Sequence, residues 1–180
     1  MIEIEIEDLE LVFKTKIRRN WKSMGSDTAS ATGWAIAWTD DKYCYCDCGV
    51  IDLKSTSTIN RYRQLNSFFS EQIPDDLNRL VIEKPFLKFF KKGRTRVPQV
   101  NVFRVLVAVS MIPMFVGFDR GLKNSQIIMI EPTKARSKLN LPATGTKAQV
   151  QAKFLLKTGI ELEEDNVVDA IILAFVGLLN

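Results

Sequence analysis

The chain has 180 residues, of which 46% are hydrophobic and 26% are charged, and its formal net charge is +4. This length and balance predict one soluble globular domain with a full hydrophobic core. The sequence contains no histidine, which excludes Ser-His and Cys-His nucleophilic catalysis and proton transfer by imidazole. Enzymatic chemistry would therefore rest on carboxylates and lysines, and carboxylates commonly act through Mg²⁺ or Mn²⁺.

The amino-terminal segment, MIEIEIEDLE, is acidic and does not resemble a signal peptide. No apolar run has the length needed to cross a bilayer, so we expect no membrane partner. Residues 1–21 form an N-terminal extension of unknown role. Their pattern fits either an edge strand with a charged outer row or an amphipathic appendage.

Three strands are predicted next, in the segments WKSMGSD, TGWAIAW and KYCYCDCGVIDL. The turn TDDK joins the last two strands, which indicates an antiparallel meander. The third strand carries all three cysteines, Cys44, Cys46 and Cys48. Zinc sites favour two cysteines with about two to four residues between them and a second such pair or histidines elsewhere, whereas these three cysteines alternate along one strand. An odd number of cysteines also argues against a disulfide framework. We therefore interpret the cysteines as reduced residues of the core or its margin.

The later segments alternate between helices and short apolar strands. Helices are predicted in STINRYRQLNSFFSEQI, VPQVNVFRVLVAVSMI, TKAQVQAKFLLKTG and EDNVVDAIILAFVGLL, and strands in NRLVIEKPF and SQIIMIEP. This order predicts an α/β fold with a mixed five-stranded sheet, three antiparallel strands followed by parallel strands, flanked by helices. The helix opened by Pro98 is apolar around most of its circumference, so it is either central in the domain or a contact with a partner chain.

Three isolated carboxylates stand at the ends of predicted elements. Asp27 follows the first strand of the meander among small residues, where it would either shape a turn or leave room for a metal ion or a phosphate. Glu83 ends an apolar strand and needs a cation or an ion pair, with Lys84 or Lys88 as the ordinary alternative. Asp169 lies too far along the last helix to act as a cap. Because adjacent strands lie about 4.8 Å apart, these acids can converge on a pair of divalent ions.

Basic residues are concentrated in two zones beside these acids. Residues 84–118 and residues 132–160 contain no aspartate or glutamate and carry most of the later lysines and arginines. Such a distribution indicates a polyanion held near a metal site.

Four motifs in this order, MGSDTASATGWA, LVIEKPF, GTKAQVQAKF and DNVVDAIILAF, resemble the RuvC-type Holliday junction resolvases of the ribonuclease H-like superfamily. The resemblance covers residues 22–180, which are therefore expected to form a ribonuclease H-like nuclease domain. It implies a homodimer that binds four-way DNA junctions and makes paired nicks by two-metal-ion phosphodiester hydrolysis with Mg²⁺ or Mn²⁺. We expect no small-molecule cofactor and a cytoplasmic location in a prokaryotic or virus-infected cell.

On this resemblance, Asp27, Glu83 and Asp169 match the catalytic acids of the family. The D-x-x-D helix motif of the family begins here at Asn166, and an amide is a weaker metal ligand than a carboxylate. Either Asp165 supplies the missing charge, which we favour, or the asparagine marks an inactive site. The predicted catalytic residues are Asp27, Glu83, Asp165 and Asp169, and Asn166 is a further metal ligand.

The resemblance also implies DNA-binding residues. Phe86 falls where the family places an aromatic residue near the junction centre, and stacking on an unpaired base is the role it would serve. Phe89 or Phe90 is an alternative wedge, although core packing suits at least one of them. Residues 84–96 are expected to form a mobile basic loop over the DNA backbone. The predicted DNA-binding residues are Phe86, Lys88, Lys91, Lys92, Arg94, Arg96, Arg136 and Lys147.

Two other functions stay open. One is a different ribonuclease H-like nuclease that cuts RNA in hybrids or displaced strands, although the sequence shows no dedicated reader of the ribose 2′-hydroxyl. The other is a catalytically inactive module that binds junctions. Asn166 supports the inactive module, and three acids retained in order argue against it.

Overall fold

The computed structural model describes residues 1–27, 32–53, 57–85, 89–92, 95–98, 100–160 and 165–180. Within these ranges it describes the backbone alone for residues 89–92, 95–98, 100–102, 147, 165 and 166. The described residues form eight strands: β1 (Ile2–Glu5), β2 (Lys22–Asp27), β3 (Thr32–Thr39), β4 (Tyr43–Ile51), β5 (Arg79–Glu83), β6 (Phe89–Lys92), β7 (Thr95–Pro98) and β8 (Ile127–Ile130). They also form six α-helices: α1 (Ile6–Phe13), α2 (Thr58–Gln72), α3 (Val100–Asp119), α4 (Pro132–Lys138), α5 (Lys147–Thr158) and α6 (Asp165–Gly177).

A six-stranded mixed sheet organises the chain, with the strand order β1-β4-β3-β2-β5-β8. Strands β2, β3 and β4 form the predicted antiparallel meander. Strand β5 pairs in parallel with β2, and β8 pairs in parallel with β5. The predicted α/β fold with a mixed sheet is therefore confirmed. The predicted number of five strands was wrong, because β1 adds a sixth strand at the antiparallel edge.

The N-terminal extension contains the edge strand that its pattern allowed, followed by a helix that packs into the core and is not an appendage. Residues 2–5 form the edge strand β1, with Ile2 opposite Cys46 in β4. The apolar spacing then changes from two residues to three and four, and α1 buries Ile6, Leu9 and Phe13. A change of period from 2 to about 3.6 is the sequence signal for a strand that gives way to a helix.

Helices cover the sheet on two faces. Alternate residues of β5 enter separate apolar clusters, with Val81 in one and Leu80 and Ile82 in the other. Helices α1, α4, α5 and α6 contribute to the cluster around Val81, and α2 and α3 contribute to the other cluster. This division follows from the period of two in a strand, which sends successive side chains to opposite faces.

Helix α6 is the central element of its layer and packs against β2, β3 and β5. Residues 167–179 are buried throughout, as the apolar sequence of this segment requires. Two residues of the N-terminal extension donate hydrogen bonds to backbone carbonyls near the carboxyl end of the chain. The Trp21 indole N–H donates to the Gly177 carbonyl at 3.1 Å, and the Arg18 guanidinium donates to the Leu179 carbonyl at 3.2 Å. These bonds join the amino-terminal segment to the last helix.

The cysteines lie as predicted. Cys44 and Cys46 are buried free thiols, and Cys48 is half-buried. Burial raises the pKa of the Cys44 thiol to about 12, so this thiol stays protonated and unreactive at neutral pH.

Two local expectations were wrong, and one helix was not predicted. Pro98 ends β7 and does not open a helix, because α3 begins at Val100 and continues through Pro113 to Asp119. Residues 84–96 are not a loop throughout, because β6 and β7 pair as an antiparallel hairpin. Helix α4 was not predicted, since its sequence PTKARSK has no apolar periodicity.

No helix among the described residues combines the length and apolar character needed to cross a membrane.

Candidate metal centre

Three carboxylates meet at one edge of the sheet. Asp27, Glu83 and Asp169 each place a carboxylate oxygen so that these oxygens all lie within 4.8 Å of one another. Across the described part of the chain, this is the one group of three or more acidic or cysteine side chains close enough to share a metal ion. The three acids that the sequence analysis selected are therefore neighbours in space.

The parallel pairing of β2 and β5 brings the first two acids together. Asp27 and Glu83 are the last residues of their strands, and the residues before them, Ser26 and Ile82, are register partners. Carboxyl ends of parallel strands meet at the same edge of a sheet, which is a common place for ligands in α/β proteins. Because side chains alternate between faces, Asp27 lies on the same face as Gly25, which is the face that α6 covers.

Helix α6 supplies Asp169, and Gly25 lets this helix approach. A Cβ atom at Gly25 would lie only 2.1 Å from the Ala170 carbonyl oxygen and 2.4 Å from the Ala174 nitrogen. Strand and helix are thus in backbone contact one residue beyond Asp169. No role was predicted for Gly25, although an isolated glycine inside a strand pattern is a signal of close backbone approach.

The surroundings of the cluster suit a hard divalent cation. Asp27 and Asp169 are only 4% and 7% exposed, and Glu83 is half-buried. Several carboxylates held so close in a poorly solvated place repel one another, and a positive charge among them relieves this cost. Carboxylate oxygens are the ligands that Mg²⁺ and Mn²⁺ prefer, so the donor set fits these ions.

An arginine from the unpredicted helix α4 contacts this cluster. Arg136 Nη2 lies 2.9 Å from Asp169 Oδ1 and 3.1 Å from Oδ2, and Arg136 Nε lies 3.3 Å from Oδ1. The two side chains are only 11% and 9% exposed. The resemblance implied that Arg136 faces a DNA phosphate, and that role stays a prediction. The structure instead places its guanidinium on a candidate metal ligand.

An exposed charge group that was not predicted lies at the same end of the sheet as the cluster, because Ile130 is the register partner of Glu83. Glu131 follows β8, and its carboxylate lies 3.3 Å from Lys134 Nζ and 3.8 Å from Lys84 Nζ. Lys84 is the residue after Glu83, and it was one of two candidates for an ion pair with that acid. Its ion pair is with Glu131, as the alternation of side chains along a strand favours. Lys88, the other candidate, lies outside the described residues.

The remaining predicted site residues are described only in part. Asp165 and Asn166 begin α6, four and three residues before Asp169, and their side chains are not described. Positions three and four apart on a helix share a face, so both positions are on the face of α6 that carries Asp169.

The predicted DNA-binding residues fall mainly on the hairpin and the start of α5. Lys91, Lys92 and Arg96 lie on strands of the hairpin, and Lys147 opens α5, with only their backbone described. Phe86, Lys88 and Arg94 lie outside the described residues, as do the small residues 28–31 beside Asp27. For all of these residues the DNA-binding and wedge roles stay predictions.

Comparison with solved structures identifies the fold. The structure of Thermus thermophilus RuvC matches with a TM-score of 0.61 over 86% of this chain and 92% of that chain, at 12% sequence identity. The structure of T. thermophilus RuvC in complex with a Holliday junction substrate matches with a TM-score of 0.62 over 86% of this chain and 91% of that chain, also at 12% identity. No protein-family model matches the sequence, and no curated protein is significantly similar to it. The chain therefore has a distant RuvC-like fold, and the resemblance seen in its motifs is confirmed as a likeness of fold.

Proposed function

We propose that this protein is a structure-selective endonuclease that resolves four-way DNA junctions by paired nicks. The observation that carries the proposal is the convergence of Asp27, Glu83 and Asp169 within 4.8 Å at the carboxyl edge of the sheet. A RuvC-like fold supports it, and one of the matching RuvC structures is bound to a Holliday junction substrate. Branched DNA is therefore the proposed substrate, and the cytoplasm is the proposed location.

The acids would hold the metal ions. Asp27, Glu83 and Asp169 are the proposed core of the site, and Asp165 and Asn166 are proposed as further ligands from the first turn of α6. Two Mg²⁺ or Mn²⁺ ions in such a site supply activation of a water molecule and stabilisation of the leaving oxygen of a phosphodiester. The chain has no histidine to act as a base, so its own contribution is to position carboxylates in a poorly solvated place.

Basic residues would hold the DNA around this site. Lys84 and Lys134 are exposed and pair with Glu131, which follows the register partner of Glu83, so we propose that their ammonium groups contact DNA phosphates. The β6–β7 hairpin and the segment before it, residues 84–88, would add further contacts with the DNA backbone and an aromatic residue that stacks on a base. The proposed residues there are Phe86, Lys88, Lys91, Lys92, Arg94 and Arg96, with Arg136 and Lys147 proposed on the other side of the site.

Paired nicks require two active sites, so we propose a homodimer. Helix α3 buries Val109 and Val116 in the core but leaves Val105, Phe115 and Phe118 exposed. Beside it, Ile59, Tyr62 and Ile112 line part of a groove of about 600 Å³ between α2 and α3. Exposed aromatic and aliphatic side chains on one helix layer are typical of a protein interface.

The proposed function is tested by cleavage of a labelled four-way junction with Mg²⁺ or Mn²⁺, beside a linear duplex and an RNA–DNA hybrid. We expect paired symmetrical nicks in the junction alone, and we expect Asp27→Asn to abolish them. Asp119→Asn removes an exposed carboxylate at the end of α3 and serves as the matched control. Preference for the hybrid would assign the protein to another class of ribonuclease H-like nucleases. Tight junction binding with no cleavage would identify an inactive junction-binding module.

A further inference from the structure

The contact between Arg136 and Asp169 has a consequence for metal binding. The guanidinium donates hydrogen bonds to both carboxylate oxygens of Asp169, and these are the atoms that a divalent ion would use. Both side chains are about nine-tenths buried. A nearly buried arginine–carboxylate pair with two hydrogen bonds is stronger and more directional than an exposed ion pair.

The charge of the cluster explains why a cation belongs there. Asp169 lies within 4.8 Å of two further carboxylates, at Asp27 and Glu83, and three negative charges at this separation repel strongly. An arginine side chain keeps its charge under all ordinary conditions. Arg136 therefore lowers the net negative charge of the cluster whenever it is in contact with Asp169.

We propose that Arg136 is the resident counter-ion of the carboxylate cluster and competes with divalent cations for Asp169. This inference rests on the proposed function, since it assumes that the cluster binds metal ions. In the metal-free protein Arg136 stabilises the arrangement of β2, β5 and α6 that brings the acids together. Metal binding then requires the guanidinium to give up or share the oxygens of Asp169. Arg136 thus sets the metal concentration at which the site fills.

Other roles of Arg136 predict a different change in metal affinity when it is removed. If Arg136 merely orients Asp169 for the metal, its removal weakens metal binding, as is usual for residues that orient ligands. If Arg136 only fastens α4 to α6, its removal lowers stability and leaves the metal affinity unchanged. The sign of the change in metal affinity therefore separates the three roles.

The test is titration of the full-length protein with Mn²⁺, followed by isothermal calorimetry, with thermal unfolding measured in EDTA and in Mn²⁺. Arg136→Gln is expected to bind Mn²⁺ about tenfold more tightly than the wild type, since an opposite charge at this distance shifts ionic equilibria by about one to three powers of ten. In EDTA this variant is expected to unfold at a lower temperature, and Mn²⁺ is expected to raise its unfolding temperature more than that of the wild type. Lys138→Gln, an exposed change on the same helix, is the control.

Arg136→Lys keeps the test decisive if the glutamine variant does not fold. Lysine retains the charge but cannot contact both oxygens through a planar fork, so we expect about threefold tighter Mn²⁺ binding than in the wild type. Unchanged or weaker Mn²⁺ binding by the variants, with binding by the wild type intact, overturns the counter-ion role and leaves the proposed function standing. Absence of Mn²⁺ binding in every variant and in the wild type overturns both.

Discussion

Two neighbouring residues at the start of α6 decide how complete the metal site is. Asp165 precedes Asp169 by four residues and Asn166 precedes it by three, so both lie one helical turn from it. A carboxylate contributes charge to a metal site and an amide does not. We therefore propose Asp165 as the fourth acidic ligand.

This assignment predicts different outcomes for two substitutions. Asp165→Asn is expected to lower the single-turnover rate of junction cleavage by at least about 10-fold, since even residues that only support metal ligands contribute about 10- to 100-fold. Asn166→Asp is expected to change the rate by less than about threefold, because the site already has its charge. A large gain in rate from Asn166→Asp would instead identify the asparagine as an inactivating residue. Glu71→Gln, an exposed change on α2, is the control.

Glu10 is a second residue whose environment has a measurable consequence. Its carboxylate accepts hydrogen bonds from the Ile17 backbone N–H at 2.9 Å, from Arg19 at 2.9 Å and from Lys16 at 3.0 Å. Burial acts to raise the pKa of this carboxyl, but the Ile17, Arg19 and Lys16 hydrogen bonds outweigh it. The pKa of Glu10 falls from 4.5 to about 2. Glu10 thereby holds the segment after α1 in place.

A lowered pKa makes this contribution depend on pH with a definite sign. A carboxylate with a depressed pKa stabilises the fold fully above its unfolded pKa, and the stabilisation is lost as the pH falls towards its folded pKa. Glu10→Gln is expected to be about 1–2 kcal/mol less stable than the wild type at pH 7. The difference is expected to shrink between pH 4.5 and about 2. Urea unfolding at a series of pH values measures it, with Glu7→Gln on the same helix as the control, and a difference independent of pH would contradict the prediction.

At the scale of elements, the approach of α6 to β2 positions the site. Gly25 of β2 lies against the backbone of α6, and Gly177 near the end of α6 lies against Ser23 of the same strand. Gly25 and Gly177 thus allow β2 and α6 to approach closely at two separate points. Asp169 reaches Asp27 because no side chain separates the two elements at Gly25.

The Gly25 contact predicts that one methyl group disturbs the site. Gly25→Ala is expected to lower the free energy of unfolding by about 1–3 kcal/mol, the usual cost of overpacking a core. It is also expected to weaken Mn²⁺ binding, because α6 must move away from β2 and carries Asp169 with it. Gly145→Ala is the matched control, since its added methyl would meet side-chain atoms at 3.3 Å or more. Unchanged Mn²⁺ affinity in Gly25→Ala would show that α6 accommodates the methyl without moving Asp169.

The N-terminal extension belongs with the sheet and helices around it. Strand β1 extends the sheet, and α1 buries Ile6, Leu9 and Phe13 in the same cluster as α5 and α6. The sequence left the role of this extension open, and its packing gives it a structural role. We propose that residues 1–21 are an integral part of the folded unit.

For the whole molecule, the proposed dimer predicts a separation of nicking from resolution. Phe115→Asp places a charge on the exposed side of α3 and is expected to halve the mass measured by light scattering at micromolar concentration. A monomer with an intact metal site is expected to nick one strand of a junction without the coordinated second nick. Leu156→Asp changes an exposed apolar residue of α5 and is the matched control. A wild-type protein that is monomeric in this measurement would contradict the proposed dimer.

Local sequence patterns were sufficient to predict most of the elements. The meander, the helix before β5 and the capped helix α5 were all predicted, because apolar periodicity and turn residues are properties of short segments. Helix α4 and the hairpin β6–β7 were missed because their short sequences, PTKARSK, FFKK and TRVP, show no regular apolar periodicity. The three acids of the cluster were predicted, since each is an isolated charge at the end of an apolar element.

The sequence by itself identified the three acids of the candidate site, because an acid such as Asp27, Glu83 or Asp169 in an apolar setting is costly unless it is paired or binds a cation. Only the tertiary structure decided that the three acids meet, through parallel pairing of distant strands and the close packing of α6. Only the tertiary structure placed Arg136 on Asp169, since the two residues are far apart in the chain and lie on helices that touch only in the fold. Segments that are distant in sequence come together through packing, and local sequence patterns do not specify which segments pack together.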